Sequence, residues 1–366
     1  MSENIEIRFV TELYRRYEKS QKYLIPKKKY LQMIKDIRTQ SETKKTKSRR
    51  DYYLLSKYEL LQCGDIEKLI KKRQTPDETP VYYVSIEDTF DIVRKTHVAT
   101  GHGGRDKMIK ELQVKYANIQ RETLELFKSL CQECQEKKKP SMTKGVVDKP
   151  VKEISEFSSR GQVDLIDMES MLCRNYKWIM VYQDHLTNFC VLRPLKSNHA
   201  TEIAFQLADI FLLLGAPVIL QSDNGSQFIA QIITELRSIW PELSIVHGKQ
   251  RHQLSEGSVE SANDDIKDML TAWMADNNST DWTMGIKFVQ FSKNSAYHAR
   301  IMRSPYAAMF GINARVGLTS TSLPQEIITS LQSEQDLVTL LQETKTDANN
   351  PETIDNKKPV AAKKKN

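Results

Sequence analysis

Four side chains between positions 97 and 134 are of the types that bind a soft divalent metal: His97, His102, Cys131 and Cys134. Four residues separate the histidines, two separate the cysteines, and twenty-eight lie between the pairs. Two imidazoles and two thiolates can close a tetrahedral Zn2+ shell, and local pairs joined by a long loop let one ion tie together helices that bury little core alone. A Cys-x2-Cys pair by itself is often incidental; the upstream histidines make zinc the favoured reading. Gly101, Gly103 and Gly104 permit a tight turn that aims the His102 imidazole. A second set is acidic: Asp164, Asp223 and Glu260. Any single carboxylate among 47 is usually surface charge. Three brought together would repel one another unless they held divalent cations, and two such cations can activate a water or a 3′-hydroxyl and stabilise the oxygen that leaves a phosphate.

Elements must exist to place these groups. Gly161 to Asp167 predicts a strand with Asp164 inside it. Lys177–Tyr182 and Phe189–Leu192 predict a hairpin turning at Asp184 to Asn188, and a helix follows over 200–214. Pro217 to Ser222 reads as a buried strand running directly into Asp223. A helix over 230–240, a short strand over 244–246 and a long amphipathic helix over 256–275 complete the pattern, the last carrying Glu260. Strands alternating with helices imply an α/β sheet covered by helices. Upstream, Phe9, Leu13 and Tyr17, then Tyr30, Met33, Ile34 and Ile37, have helical spacing on either side of Pro26. Val81 to Val84 is a strand candidate, and a helix begins near Asp88 and leads into His97. The run from Lys44 to Arg50 reads as an exposed linker, and the Lys- and Pro-rich stretch from Lys137 to Val151 as a domain boundary. Beyond Gly311 apolar periodicity fades, and 344–366 reads as a disordered basic tail.

Composition sets outer limits. A chain of 366 residues with 39% hydrophobic content has room for two or three domains with ordinary cores. Its 54 Lys+Arg against 47 Asp+Glu leave +7, compatible with a polyanionic partner and equally with ordinary solubility. No stretch approaches the roughly eighteen apolar residues of a membrane span, and the first six residues lack the pattern of a signal peptide. An intracellular chain that does not enter membranes is expected, with its odd five cysteines reduced. Cys63, Cys173 and Cys190 have no partners at ligand spacing and read as small buried or partly buried residues.

Five sequence segments, in this order, carry a resemblance. Residues 97–104, His-Val-Ala-Thr-Gly-His-Gly-Gly, lead to Cys131-Gln132-Glu133-Cys134; Gln162-Val163-Asp164 and Ser222-Asp223-Asn224-Gly225-Ser226-Gln227-Phe228 follow; then comes Gly257-Ser258-Val259-Glu260-Ser261-Ala262-Asn263. Over about residues 90 to 312 the chain resembles the integrases of retroviruses and gypsy-type retrotransposons, and Ser304 to Gly311 is similar to the segment that closes their core. The resemblance implies a ribonuclease-H-like core with a mixed five-stranded sheet flanked by helices, preceded by a small helical zinc-binding module. It implies catalytic Asp164, Asp223 and Glu260 on Mg2+ or Mn2+, and Zn2+ on His97, His102, Cys131 and Cys134. It further implies 3′-end processing and strand transfer on DNA by direct displacement, in a homo-oligomer that handles two DNA ends. The division expected is 1–50, a helical segment and basic linker; 51–139, a small mixed unit with the zinc module; 151–312, the catalytic core; and 313–366, an extension with the basic tail.

Departures from the family pattern bear on activity. The approach to the third acid, usually His-Pro-Gln-Ser-Gln-Gly, here reads His252-Gln253-Leu254-Ser255-Glu256-Gly257. Glu256 stands one turn before Glu260, where a neutral amide is expected to face DNA, and adds repulsion toward phosphate. Ser261 stands where close relatives often carry Arg. A tryptophan often found after the zinc module's central tyrosine is absent at Tyr116-Ala117-Asn118, which predicts less core and more dependence on the metal. These departures keep open a second reading, a domesticated nuclear factor that binds nucleic acid or protein and has lost the reaction.

Lys249 and Arg251, beside His247 and His252, form a loop that would either position DNA backbone or be simply solvated. Lys267, seven residues past Glu260, would either approach a DNA end or be an exposed helix lysine. Asp167 and Asp184 read as turn, surface or cap residues, and Trp178 and Trp240 as core aromatics. Starting at Met1 with 366 residues, the chain is expected to be an independent coding unit, and a nuclear location is expected, to which the basic runs at 44–50 and 357–365 would direct it.

Overall fold

The computed structural model describes residues 2–21, 23–42, 48–63, 66–75, 78–136, 159–171, 173–222, 224–248 and 256–340. The N-terminal helices are α1 (Ser2–Lys19) and α2 (Lys27–Glu42), broken around Pro26 as the spacing predicts. The expected linker ends early. Ser48 caps α3 (Arg49–Lys57) through a reciprocal capping box with Asp51, so Arg49 and Arg50 are helical. A hairpin of β1 (Tyr58–Cys63) and β2 (Ile66–Lys71) follows, which the apolar pattern did not flag. Val81 to Val84 is not a strand: Tyr82 makes only single bridges to Ile70 and Tyr116. Next come α4 (Ile86–Ala99), α5 (Arg105–Gln113), α6 (Arg121–Leu130) and α7 (Gln132–Glu136). The sheet elements are β3 (Arg160–Asp167), β4 (Trp178–Asp184) and β5 (Cys190–Leu195), then α8 (Ala200–Leu214), β6 (Ile219–Gln221), α9 (Ser226–Ile239), β7 (Val246–His247) and α10 (Glu256–Asp276). The chain continues through α11 (Trp282–Ser295), α12 (Pro305–Phe310) and α13 (Gln325–Ser330). No described helix is long and apolar enough to cross a membrane.

Contacts divide the chain into two units: residues 1–15, 88–113 and 119–314 in one, and 16–87, 114–118 and 315–366 in the other. In the second unit Tyr30, Met33, Ile34 and Ile37 of α2 pack with Leu54, Tyr58 and Leu69. Asn118 belongs here: its side-chain amide donates to the Val84 and Tyr23 carbonyls while its oxygen accepts from the Val84 N–H. Asn118 therefore clamps the backbone at Val84 and Tyr23.

The first unit contains the five-stranded sheet in the order β5-β4-β3-β6-β7. β4 runs antiparallel to both of its neighbours, β3 and β5, while β6 and β7 run parallel to β3. This mixed five-stranded topology, with helices on both faces, is the arrangement that the resemblance implies. Period-two alternation sorts the strands' side chains. Val163, Met180, Tyr182 and Leu220 face α8 and α9, meeting Ile203, Leu207, Phe211, Ile229 and Leu236. Ile166, Ile179, Val181 and Leu192 face α10 and α11, meeting Ile266, Leu270, Trp282 and Ile286. Trp282 is fully buried, and its indole N–H donates to the Met171 carbonyl at 2.6 Å.

Edge strand β5 keeps part of its outer backbone paired through α11. The Asn294 amide accepts from the Cys190 N–H (2.9 Å) and donates to the Cys190 carbonyl (2.7 Å), and Gln290 accepts from the Leu192 N–H (2.8 Å). Side-chain amides thus occupy bonds that another strand would otherwise template onto.

At Gly161 the chain has no room for a side chain, because a Cβ there would lie 2.6 Å from the Tyr182 ring. That ring is buried edge-on to Phe211 with centroids 5.5 Å apart. Gly161→Ala is expected to cost about 1–3 kcal/mol through overpacking, read as a lower urea midpoint. An unchanged midpoint would mean the ring yields freely.

Candidate metal sites of the zinc module and the sheet

Each of the four soft ligands is delivered by a different local device. His97 sits in the last turn of α4, 1% exposed. Gly101 and His102 both adopt the left-handed region (φ 62° and 56°), which turns the chain back so that the second imidazole meets the first. A side chain at Gly101 would also strike Met269 of α10, at 2.3 Å from its methyl, so close packing adds to the demand for glycine. Cys131 caps α6 and Cys134 rides on α7.

The four ligand atoms all lie within 4.8 Å of one another. Cys134 Sγ is 3.2 Å from His97 Nε2 and 3.9 Å from His102 Nδ1, and Cys131 Sγ is 3.5 Å from His102 Nδ1. Tetrahedral zinc, with bonds of about 2.0–2.3 Å, sets ligand atoms roughly 3.3–3.8 Å apart. The donor set and its spacing fit that ion. Contact with Cys134, then with His102 and His97, holds the Cys131 thiol far below its ordinary pKa, in the thiolate form a metal needs. Burial pushes the His97 imidazole down and favours its neutral, ligating form. At His102 burial also acts downward but is outweighed by the Asp276 carboxylate and Cys131, which raise it to about 9.

Two neighbours of the cluster had no signal in the sequence. Asp276, at the end of α10, meets His102 Nε2 at 2.8 Å, the carboxylate partner that commonly orients a ligating imidazole. Met108 Sδ lies 3.4 Å from His97 Nδ1. Behind the cluster, Phe9 of α1 packs its ring against Phe90 and Phe127 with centroids 5.6 and 5.8 Å away.

Of the acidic set, Asp164 lies in the middle of central strand β3, 7% exposed, paired in register with Val181 and accepting from the Gln162 amide at 2.9 Å. Asp223 lies outside the described residues. Glu260 is in the second turn of α10, and its side chain is outside what is described. Lys249 and Arg251 also fall outside, while Lys267 is exposed on α10 between Asp264 and Asp268. Asp167 accepts from the Glu169 N–H (2.8 Å) and Asp184 from the Thr187 N–H and hydroxyl (2.8 and 2.7 Å), the turn roles expected of them. Trp178 and Trp240 pack against the core, Cys190 is buried, and Cys173 is half-buried.

With this geometry in hand, the chain can be set beside known proteins. No protein-family model matches it. KRAB-A domain-containing protein 2 of Homo sapiens is 41% identical over 311 residues, 85% of this chain and 63% of that protein. Gypsy retrotransposon integrase-like protein 1 of Pongo abelii is 29% identical over 164 residues, 44% of this chain and 30% of that protein. The Pro-Pol polyprotein of Simian foamy virus type 3 (strain LK3) is 23% identical over 273 residues, 73% of this chain and 22% of the polyprotein. The chain is an integrase-derived protein. It spans under two thirds of the length of each of these relatives. Among solved structures, the integrase-derived chain is similar to the HTLV-2 integrase catalytic core domain in complex with magnesium (TM-score 0.34, 19% identity, 42% of this chain and 96% of that one). It is also similar to a simian T-cell lymphotropic virus intasome (TM-score 0.41, 15% identity, 64% and 76%).

Proposed function

We propose that this integrase-derived chain is a metal-dependent polynucleotidyl transferase acting on DNA ends, with Asp164, Asp223 and Glu260 as its catalytic acids. The observation that carries the proposal is the placement of Asp164. It is a buried carboxylate on the strand face shared with Ile166, and Ile166 packs against Ile266 and Leu270 of α10, the helix that carries Glu260. Register adds support, because Gln162 pairs with Gln221 across the parallel β3–β6 ladder. Asp164 and Asp223 are each two positions beyond that pair in the sequence.

Three carboxylates are hard oxygen donors of the kind that Mg2+ or Mn2+ prefers. When bound, the cations would supply activation of a water or 3′-hydroxyl and charge stabilisation at the leaving oxygen. The chain's own part is rigidity. The β3 ladder fixes the Asp164 backbone on both sides, and the Gln162 amide orients its carboxylate. His97, His102, Cys131 and Cys134 would hold structural Zn2+. DNA and a second copy of the chain are the proposed partners. The test is incubation of labelled duplex ends with Mg2+ or Mn2+, comparing wild type with Asp164→Asn.

One observation favours the second reading, a DNA- or protein-binding factor without the reaction: Glu256 places an extra negative charge one helical turn before Glu260. Absence of products from a folded, DNA-binding wild type would select it. We also propose a nuclear location. Removing the basic runs at 44–50 and 357–365 is expected to shift a tagged chain toward the cytoplasm in fluorescence images, and unchanged distribution would reject those runs as the signal.

A further inference from the structure

Basic side chains gather around the turn that follows α11. α11 ends at Ser295 and the chain folds into a tight turn, with the His298 N–H donating to the Arg303 carbonyl at 3.0 Å and Met302 left-handed at φ 57°. Lys110 of α5 stands over the Tyr297 ring, 3.3 Å from its centroid. Arg300 donates to the His185 carbonyl (3.3 Å) and to the Asn188 side chain (3.2 Å), which ties the turn to the β4–β5 hairpin loop. Lys107, one turn before Lys110, lies close enough for its charge to act on His298 together with those of Arg300 and Lys293.

The charges here are unbalanced. Among the described residues, Lys107, Lys110, Arg300 and Arg303 form no ion pair, while the neighbouring Asp265 carboxylate is already engaged by Lys293 at 2.7 Å. Lys110, Arg300 and Arg303 are exposed. Cations gathered from a helix and a turn repel one another, and a polyanion relieves that repulsion. The hairpin loop adjoins the Gly161 end of β3, since Gly161 pairs with Asp184. The surface is therefore at the end of the sheet opposite Asp167, beyond the position of Asp164.

We propose that Lys107, Lys110, Arg300 and Arg303 form a docking surface for the sugar-phosphate backbone of duplex DNA, separate from the acidic set. Cations of this kind position a duplex without reading its bases. The inference rests on the DNA-acting reading of the chain, but it concerns binding rather than chemistry.

The test is titration of a labelled duplex with the full chain at several salt concentrations, using wild type and Lys110→Ala/Arg303→Ala, with metal-dependent product followed on the same wild type. Lys110 and Arg303 are chosen because Arg300 also holds the hairpin loop. Two lost phosphate contacts are expected to flatten the slope of log K against log salt by about 2, to similar extent on unrelated sequences. An unchanged slope in the double variant, with wild type binding DNA, would overturn the surface and leave the transferase reading intact. Binding without any metal-dependent product would fail the transferase reading and leave the surface standing. A wild type that binds no duplex would end both.

Discussion

Asp164→Asn is expected to lower metal-dependent nicking and strand transfer by more than about 100-fold while leaving the fold intact. Loss of an outer partner of a metal ligand typically costs about 10–100-fold, and loss of the ligand charge itself should cost more. Asn is nearly isosteric with Asp and keeps the hydrogen-bonding capacity that meets the Gln162 amide, so the β3 ladder should survive. The substitution also removes a buried negative charge, so a modest rise in the thermal midpoint without metal is compatible with the same account. Gel analysis of labelled ends measures the loss, and near-ultraviolet circular dichroism checks the fold. Undiminished product in the folded variant would sink the site assignment.

Cys134→Ser, or chelation of the wild type, is expected to lower the thermal midpoint by roughly 8–16 °C. Free zinc at a thousandfold excess over its dissociation constant stabilises the folded state by about 4 kcal/mol, and each kcal/mol shifts a unit of this size by about 2–4 °C. The ligand atoms are already gathered within 4.8 Å, but four polar groups at that distance need the ion to hold them there. The ring cluster of Phe9, Phe90 and Phe127 should keep the module partly folded after the metal leaves, so a shift is expected rather than complete unfolding. Mass spectrometry of the native wild type should find about one zinc per chain. A metal-free wild type with an unchanged midpoint in chelator would remove zinc from the description.

Much of the architecture was legible from local pattern. The helix expected over 200–214 is α8 to the residue, because a long apolar run ends at Gly215, which has φ 91°. The β4–β5 hairpin and α10 were equally plain in alternation and helical spacing. The β1–β2 hairpin was not, since Tyr-Glu-Leu-Leu-Gln-Cys suits a helix as well as a strand and only cross-strand pairing decides between them. Val81 to Val84 shows the converse, β-branched and aromatic residues whose pairing stops at single bridges from Tyr82 to Ile70 and Tyr116.

By itself the sequence determined the chemical types available: two His, two Cys and three acids at spacings that only a few metal sites use. It also determined, through periodicity, that strands and helices alternate around the acids. Only the tertiary structure decided that Asp276 meets His102 across 174 residues, that Phe9 completes the packing behind His97 and Phe127, and that Lys110 stands over the Tyr297 ring. The physical reason is that periodicity and turn chemistry act over a few residues, whereas these contacts form between distant segments that meet only when the sheet and its helices pack.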